Sequence, residues 1–259
     1  MRVALLQYPI IWADKEANLR MTEERLSALQ GKADVALLPE MFTTGFCVQQ
    51  PQLAESVGDS MTLAFLLRCA RDYDLAIAGS FMAKEARNLY NRGFFVRPSG
   101  ETDFVDKRHL YASGGEAELF TRGEKRVISE YKGVRFCLQI CYDLRFPVWV
   151  RNATGYDYDI LLYSALWPDV RIAAWDLLLP TRSVENQCYV AGVNCVGNDG
   201  IGLHYNGHSV AYDTRLHRLV EFEDNEEGTK IADFNMQNLA YFREILPLWK
   251  DADRFKIAD

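Results

Sequence analysis

The sequence predicts an α/β fold in which sheets of buried strands are covered by helices. Apolar runs at residues 3–7 and 35–39 are typical of strands that are buried on both faces. The amphipathic stretch of residues 14–30 separates these two runs, so strand and helix alternate along the chain. Turn residues such as Pro98-Ser99-Gly100 then join further strand-like runs into antiparallel hairpins.

The elements of the first half follow from caps, periodicity and turns. Asp14 is suited to cap a helix over residues 14–30, and Gly31 is suited to end it. A second amphipathic helix is predicted over residues 61–71, followed by a buried strand over residues 75–82. Two hairpins are predicted, from strands 89–96 and 102–106 and from strands 127–131 and 134–140. The glycine-rich residues 111–125 between them are expected to form an ordered surface or active-site loop.

The second half repeats this layout without a sequence repeat. We predict a short helix at 147–154, a buried strand at 160–165, a long helix at 170–187 and a buried strand at 188–194. Three antiparallel strands follow at 207–212, 218–222 and 230–234, the last two joined by the acidic turn DNEEG. The tail of residues 238–259 is aromatic and apolar but contains Pro247, so it is expected to pack at an oligomer interface, with the chain's own surface as the alternative. No linker interrupts the chain, and a single domain of residues 1–259 is expected.

Composition limits the partners of the protein. The formal charge of -7 argues against nucleic acid and anionic membranes as partners, because both are polyanions. No apolar run approaches the ~20 residues that a membrane-spanning helix needs. The six cysteines include no Cys-x-x-Cys pair, which is typical of reduced thiols in a cytoplasmic protein. A small-molecule substrate remains open, because a basic pocket is compatible with an acidic protein.

Three reactive residues follow strand-like runs. Glu40, Lys107 and Cys141 each come directly after such a run, and the ends of neighbouring strands converge in space. A carboxylate takes the proton of a thiol, the thiolate attacks a carbonyl carbon, and a lysine stabilises the resulting oxyanion. The structural alternative is a buried Glu40–Lys107 ion pair with an unrelated core cysteine.

Around these residues the chain resembles a known family. The segments LLPEMFTTGF around Glu40, DKRHLY around Lys107 and CYDLRFPVW around Cys141 resemble the three signature segments of the nitrilase superfamily, the carbon-nitrogen hydrolases. The resemblance runs from residue 1 to about residue 235. It implies a four-layer α-β-β-α sandwich that is usually dimeric. It also implies Glu40 as general base, Lys107 and the amide of Tyr142 as the oxyanion site, and Cys141 as the nucleophile that forms a thioester.

The family resemblance also implies a second glutamate in the loop after the lysine, where it positions the lysine and the substrate. Glu116 fits this place, and Glu118 is the alternative. The Gly114-Gly115 pair departs from common forms of this loop, which leaves its geometry open.

Within the superfamily the chain is most similar to bacterial omega-amidases, over residues 142–152 and 165–194. This likeness implies hydrolysis of the terminal amide of small 2-oxo acid amides such as 2-oxoglutaramate. Such a substrate needs a cation for its carboxylate, and Arg145 is the candidate. The alternative for Arg145 is a structural ion pair with Asp143. Phe42, Trp167 and Tyr142 are expected to line a small flat pocket, and the alternative is that these aromatic side chains belong to the core.

Several other functions were weighed on the same residues. A Cys-His enzyme would need His109 beside Cys141, whereas His204 and His208 lack a third ligand for a metal. The sequence GNDGIG lacks the lysine of a phosphate loop and is predicted to be a turn. No cofactor or metal is expected. Nitriles, N-carbamoyl compounds and deaminated glutathione remain alternative substrates, and a non-catalytic binding protein is the alternative class.

Overall fold

Strands and helices alternate along most of the chain. The computed structural model describes residues 1–152 and 155–257. In chain order the strands are β1 (Arg2–Gln7), β2 (Val35–Leu37), β3 (Glu55–Ser56), β4 (Ala76–Glu85), β5 (Asn88–Val96), β6 (Thr102–Asp106), β7 (Ile128–Tyr131), β8 (Val134–Ile140), β9 (Ile160–Ser164), β10 (Tyr189–Val193), β11 (Val196–Asn198), β12 (His204–Asn206), β13 (Val210–Tyr212), β14 (Arg218–Glu221) and β15 (Gly228–Asp233). The α-helices are α1 (Lys15–Ser27), α2 (Met61–Asp72), α3 (Glu116–Leu119), α4 (Pro147–Val150), α5 (Ile172–Asn186) and α6 (Met236–Ile245).

Two mixed sheets form the centre of the molecule. The first has the order β15-β1-β2-β4-β5-β6, with β3 added to β4, and the second has the order β14-β13-β10-β9-β8-β7. The parallel strands β1, β2 and β4 lie at the centre of the first sheet, and β8, β9 and β10 at the centre of the second. Because parallel neighbours need crossover connections, helices lie between these strands in sequence.

Alternation of side chains along the strands produces four layers. In β1, Val3 and Leu5 belong to the core between the two sheets, whereas Ala4 belongs to the core under α1 and α2. In β9, Leu162 faces the first sheet, and its neighbours pack on the α5 side with Trp175. The result is an α-β-β-α sandwich, as the family resemblance implied.

The local predictions for helix starts and hairpins are confirmed. The Asp14 side chain accepts a hydrogen bond from the amide of Ala17 at the start of α1, as an N-cap does. The two predicted hairpins are the antiparallel pairs β5–β6 and β7–β8. The GNDGIG segment joins β11 to β12 as a turn. The helix predicted at 147–154 is described only as the shorter α4, and residues 153 and 154 lie outside the described residues.

The last two strands differ from the prediction. Residues 218–222 and 230–234 were expected to continue one antiparallel series. Instead β14 lies in the second sheet beside β13, and β15 pairs with β1 of the first sheet, with Asp233 opposite Arg2. The acidic turn between them therefore carries the chain from one sheet to the other. Strand periodicity does not distinguish these arrangements, because each strand has one buried face in both cases.

The C-terminal tail begins with a helix that packs on its own chain. Leu239 of α6 is buried in the core between the sheets, and the Arg243 guanidinium donates to the Asp159 carboxylate at 2.7 Å. On the outer side of the tail, Tyr241 and Ile245 are more than half exposed. In the described part of the chain, no helix is long and apolar enough to cross a membrane.

Candidate active site

The ends of strands from both sheets meet at one edge of the sandwich. The Ser164 hydroxyl, at the end of β9, donates to the carbonyl of Leu38, just after β2, at 2.8 Å. The amide of Glu40 donates to the carbonyl of Ala165 at 3.4 Å. These bonds join the two sheets where their parallel strands end, and they fix the backbone that carries Glu40.

Lys107 and two glutamates form a fully buried cluster. The Lys107 ammonium donates to Glu40 Oε1 at 2.8 Å and to Glu116 Oε1 at 3.2 Å, and it forms an ion pair with Glu116 Oε2 at 2.9 Å. The exposed fractions of these three side chains are 1%, 0% and 0%. The second Glu40 oxygen, Oε2, accepts the amide of Leu166 at 3.0 Å. Two carboxylates therefore share one ammonium, and the cluster has one excess negative charge when both are ionised.

Glu116, and not Glu118, is the loop glutamate that lies beside Lys107. Glu116 begins α3 and accepts the amide of Tyr111 at 2.7 Å, whereas Glu118 is exposed. The glycine pair gives this loop its shape. Gly115 has φ of +79°, and a Cβ on Gly115 would lie 2.6 Å from Nε2 of Gln49. A side chain at this position is therefore disfavoured by the backbone conformation, and it would also displace the end of the Gln49 side chain.

Cys141 lies at a sharp bend between β8 and a short turn. Its φ of +44° is in the left-handed region, which a cysteine adopts only when its surroundings impose it. Its Sγ atom lies 3.6 Å from the carbonyl oxygen of Leu166, the residue whose amide binds Glu40. Asp143 holds the bend by accepting the amides of Ile140 at 3.1 Å and of His109 at 2.9 Å. The thiol is therefore fixed beside the Glu40 carboxylate.

Burial and charge determine the protonation states of this cluster. Burial raises the pKa of the Glu40 carboxyl; Lys107 opposes the rise and Glu116 adds to it. Burial alone would lower the pKa of Lys107, but the charges of Glu116 and Glu40 outweigh it, and its pKa is raised. Burial, followed by the Glu40 charge, raises the pKa of the Cys141 thiol well above its ordinary value. At neutral pH the resting site holds a cationic lysine and a neutral thiol.

The histidine alternative finds no support in this geometry. The His109 ring nitrogen Nδ1 lies 2.8 Å from Asp143 Oδ1, and the ring stacks on Phe146 with centroids 3.8 Å apart. His109 is not among the residues that line the cavity beside Cys141. Its ring is held by the turn that supports the cysteine, and its contacts are structural.

A cavity of about 480 Å³ opens above Cys141 and Lys107. Trp167 and Tyr142, both expected at the pocket, line it. Arg145 also lines it, with its guanidinium carbon 4.8 Å from the Trp167 ring centroid. Asp143 is already bonded to His109 and Ile140, and Arg145 forms no ion pair with any described residue. The structural ion pair that was the alternative for Arg145 is therefore not formed.

A second arginine in the wall was missed by the sequence analysis. Arg171 lines the same cavity, with its guanidinium carbon 5.3 Å from the Tyr111 ring centroid. Within residues 1–152 and 155–257 no carboxylate forms an ion pair with Arg171, and none of the residues lining the cavity is acidic. The sequence signal that could have identified it is its position three residues after Pro168, in the segment that follows Trp167. The cavity thus contains two guanidinium groups free to bind an anion.

The prediction that Phe42 lines the pocket is wrong. Phe42 is fully buried and packs edge-on against Phe94, with centroids 5.9 Å apart, in the core under the first sheet. Met41, with φ of +44°, reverses the chain after Glu40, and this reversal turns Phe42 inward. Phe46 lines the cavity instead, with its ring centroid 5.6 Å from the Lys107 ammonium.

The histidine, cysteine and acidic side chains of the described residues do not gather into a metal site. No group of three or more His, Cys, Asp or Glu side chains in the described ranges is arranged to hold a metal ion. His208 bonds instead to the Asp176 carboxylate at 3.0 Å, and His204 to the amide side chain of Asn198 at 3.0 Å.

Comparisons with known proteins agree with this architecture. The sequence profile described as carbon-nitrogen hydrolase matches residues 2–244. The chain is 40% identical to omega-amidase YafV of Escherichia coli, covering 99% of this chain and 98% of the relative. It is 32% identical to 2-oxoglutaramate amidase of Bacillus subtilis, covering 96% of each. A solved CN-hydrolase superfamily protein from Xanthomonas campestris, which has an arsenic adduct in its active site, superposes with a TM-score of 0.97 at 36% identity, covering 100% of this chain and 99% of that one.

Proposed function

Because the chain belongs to the carbon-nitrogen hydrolase family, we propose that it hydrolyses the terminal amide of a small 2-oxo acid amide such as 2-oxoglutaramate. The chain is a hydrolase of carbon-nitrogen bonds other than peptide bonds. The products of the proposed reaction are the 2-oxo acid and ammonia. The observation that carries the proposal is the buried Glu40–Lys107–Glu116 cluster beside Cys141 in a cavity with free guanidinium groups.

In the first half of the reaction, the Cys141 thiol is the nucleophile. Its pKa is raised, so it needs a base, and the raised pKa of Glu40 suits proton transfer near neutral pH. Glu40 takes the thiol proton as sulfur bonds to the amide carbon. The Lys107 ammonium and the amide of Tyr142 stabilise the oxyanion. The tetrahedral intermediate then collapses, the nitrogen leaves as ammonia with the proton from Glu40, and a thioester remains on Cys141.

In the second half, water replaces ammonia. Glu40 takes a proton from water as the oxygen attacks the thioester carbon. The carbon-sulfur bond breaks, the sulfur recovers the proton, and the carboxylic acid leaves. The site returns to its starting protonation state without any cofactor. Glu116 holds Lys107 during both halves, because its Oε1 accepts a hydrogen bond from that ammonium and its Oε2 forms an ion pair with it.

Recognition of the substrate carboxylate is assigned to Arg145. Its guanidinium lies in the cavity wall above Trp167, without a protein carboxylate to neutralise it. A carboxylate bound there forms charge-assisted hydrogen bonds with a planar donor. Tyr142 and Trp167 provide the apolar walls for the carbon chain. This arrangement favours a short amide with an anionic far end over a neutral nitrile.

The test is an ammonia-release panel on the purified protein. 2-Oxoglutaramate, an N-carbamoyl amino acid, deaminated glutathione and an aliphatic nitrile are compared, and 2-oxoglutaramate is expected to give the highest kcat/KM. Acid quench and mass spectrometry should detect an acyl adduct on Cys141, and Cys141→Ala should abolish both signals. Full hydrolysis by Cys141→Ala would contradict the mechanism, and no release from any amide would support a non-catalytic binding protein.

We also propose a cytoplasmic homodimer. Leu177 and Val184 leave an exposed apolar stripe along α5, 68% and 40% exposed, and Tyr241 adds an exposed aromatic ring on α6. A second copy of the chain covering this surface would bury it. Leu177→Asp is expected to convert a dimer to a monomer in solution-mass measurements, and an unchanged mass would contradict this surface as the interface. The six free thiols fit a reducing compartment.

A further inference from the structure

Asn91 is a buried polar residue that the proposed mechanism does not use. It lies in β5 and is fully buried. Its Nδ2 atom donates to Glu40 Oε1 at 2.7 Å and to Glu116 Oε1 at 2.9 Å. Its carbonyl oxygen Oδ1 is buried and finds no hydrogen-bond partner within the described residues. The backbone carbonyl of the same residue accepts the amide of Lys107 at 3.0 Å.

The unpaired carbonyl oxygen shows what orients this amide. Rotating the amide by half a turn would place Oδ1 against two carboxylates, and like partial charges would repel. Leaving Oδ1 without a partner has a free-energy cost that native structures rarely accept. The two carboxylate acceptors offset this cost, because hydrogen bonds to ionised acceptors are stronger than neutral ones.

A count of donors then identifies the atom that is left to receive a proton. Glu116 Oε1 accepts from Asn91 and Lys107, and Glu116 Oε2 accepts the amide of Tyr111 and lies 2.9 Å from the Lys107 ammonium in an ion pair. Glu40 Oε1 accepts from Asn91 and Lys107, whereas Glu40 Oε2 accepts only the amide of Leu166. Each carboxylate oxygen has two lone pairs. Of the four carboxylate oxygens, Glu40 Oε2 is therefore the one that contacts a single N–H donor, and this donor belongs to the residue that also contacts Cys141.

From this geometry we infer that Asn91 is a positioning residue. It donates hydrogen bonds to the Oε1 atoms of Glu40 and Glu116 and thereby directs the proton of the Cys141 thiol to Glu40 Oε2. The inference rests on the proposed function. Asn91 does not touch the substrate. Asn91 acts through Glu40. Its Nδ2 atom is a second hydrogen-bond donor to Glu40 Oε1, and this bond keeps the Glu40 carboxylate ionised and fixed although the cluster has an excess negative charge.

The test replaces Asn91 and measures the pH dependence of kcat/KM. The titratable groups that face Glu40 are Lys107, Glu116, Cys141 and Cys195. Asn91→Leu removes the two N–H donors of Nδ2, so the ionised form of Glu40 loses stabilisation. The acid limb of the pH profile of kcat/KM should therefore move upward by about one pH unit, which is a tenfold change in the protonation equilibrium of Glu40. We expect kcat to fall roughly 30-fold while KM changes less than about threefold, because the binding wall is untouched.

Asn91→Ser and Asn152→Leu complete the design. A serine hydroxyl supplies one hydrogen instead of two, so the shift of the acid limb should be smaller than in Asn91→Leu. Asn152 is a matched control, because it is also buried and its Nδ2 donates to two backbone carbonyls, those of Tyr158 at 3.0 Å and Asn186 at 3.1 Å. Asn152→Leu should lower the melting temperature and leave the acid limb in place.

The outcomes separate this inference from the proposed function. An acid limb that stays in place in both Asn91→Leu and Asn91→Ser would overturn the positioning role, even if both variants lose stability. If Asn91→Leu does not fold, the acid limb of Asn91→Ser alone decides. Failure of the wild-type protein to release ammonia or to form a Cys141 adduct would instead refute the proposed function.

Discussion

The replacement Arg145→Met tests how the cavity recognises an anionic substrate. Methionine keeps most of the aliphatic length of the side chain against Trp167 but removes the guanidinium. Because Arg145 has no ion pair with a described residue, its loss leaves no protein carboxylate without a partner. The change in rate should therefore report the lost contact to the substrate alone.

The expected magnitude follows from one charge-assisted contact. A hydrogen bond to a charged group contributes roughly 1.5–3 kcal/mol. At about 1.4 kcal/mol for each factor of ten, Arg145→Met should lower kcat/KM for 2-oxoglutaramate by roughly 10- to 150-fold. A neutral amide of similar length, pentanamide, has no carboxylate to lose its partner, so its kcat/KM should change less than about threefold.

The assay is initial-rate ammonia release for both amides, with Arg20→Met as the control. Arg20 is an exposed arginine of α1, outside the cavity, and its replacement should affect neither substrate. Equal losses for the carboxylate-bearing and the neutral amide would refute carboxylate recognition by Arg145 and would indicate a role in supporting the turn. Adding Arg171→Met in a double-mutant cycle measures coupling, which is expected if both guanidinium groups contact one carboxylate.

Three further predictions concern the cluster and its supports. Glu40→Gln removes a charge that raises the pKa of Cys141, so the pH midpoint of iodoacetamide alkylation, measured on the Cys141 peptide, should fall. The rate of hydrolysis should fall roughly 10²- to 10⁴-fold, because the base is lost. An alkylation midpoint that rises would contradict this prediction. The free energy of unfolding of Glu40→Gln relative to the wild type should rise in urea titrations as the pH increases above the ordinary carboxyl pKa, because a raised folded-state pKa makes the ionised wild-type carboxyl costly there; a difference that does not change with pH would contradict this. Gly123→Ala places a Cβ 2.0 Å from the Asp106 carbonyl oxygen, so thermal unfolding should show a loss of about 1–3 kcal/mol, whereas Gly58→Ala, with no atom within 4 Å, should show almost none.

The elements of this fold could be predicted from sequence where local rules determine them. The Asp14 cap and the Lys132-Gly133 turn depend on residues close together in the chain, and both are where the sequence placed them. The sheet that receives β15 is decided by contacts between residues more than 200 positions apart, such as the antiparallel pairing of Arg2 with Asp233. The periodicity of a strand does not indicate which sheet the strand joins, so the passage of the chain from the second sheet to the first was not predicted.

The same distinction applies to the site. Glu40, Lys107 and Cys141 were identifiable because each follows a strand, and strand ends converge in a sandwich. Phe42 was misplaced because the backbone reverses at Met41, a conformation that composition does not reveal. Asn91 was missed because a single polar residue within a strand has no periodic signal. Only the structure shows that its neighbours across space are two carboxylates.

The protonation states of the cluster explain why only one of its members serves as a base. Lys107 is held cationic by two carboxylates, so it stabilises negative charge but does not accept a proton. Each Glu116 oxygen contacts two N–H donors, so a proton arriving there would displace an existing contact. Glu40 Oε2 contacts a single N–H donor, and burial raises the pKa of Glu40 above its ordinary value. In the proposed mechanism a substrate amide therefore meets one base, one cation and one neutral thiol, and a buried carboxylate takes the role that histidine has in Cys-His enzymes.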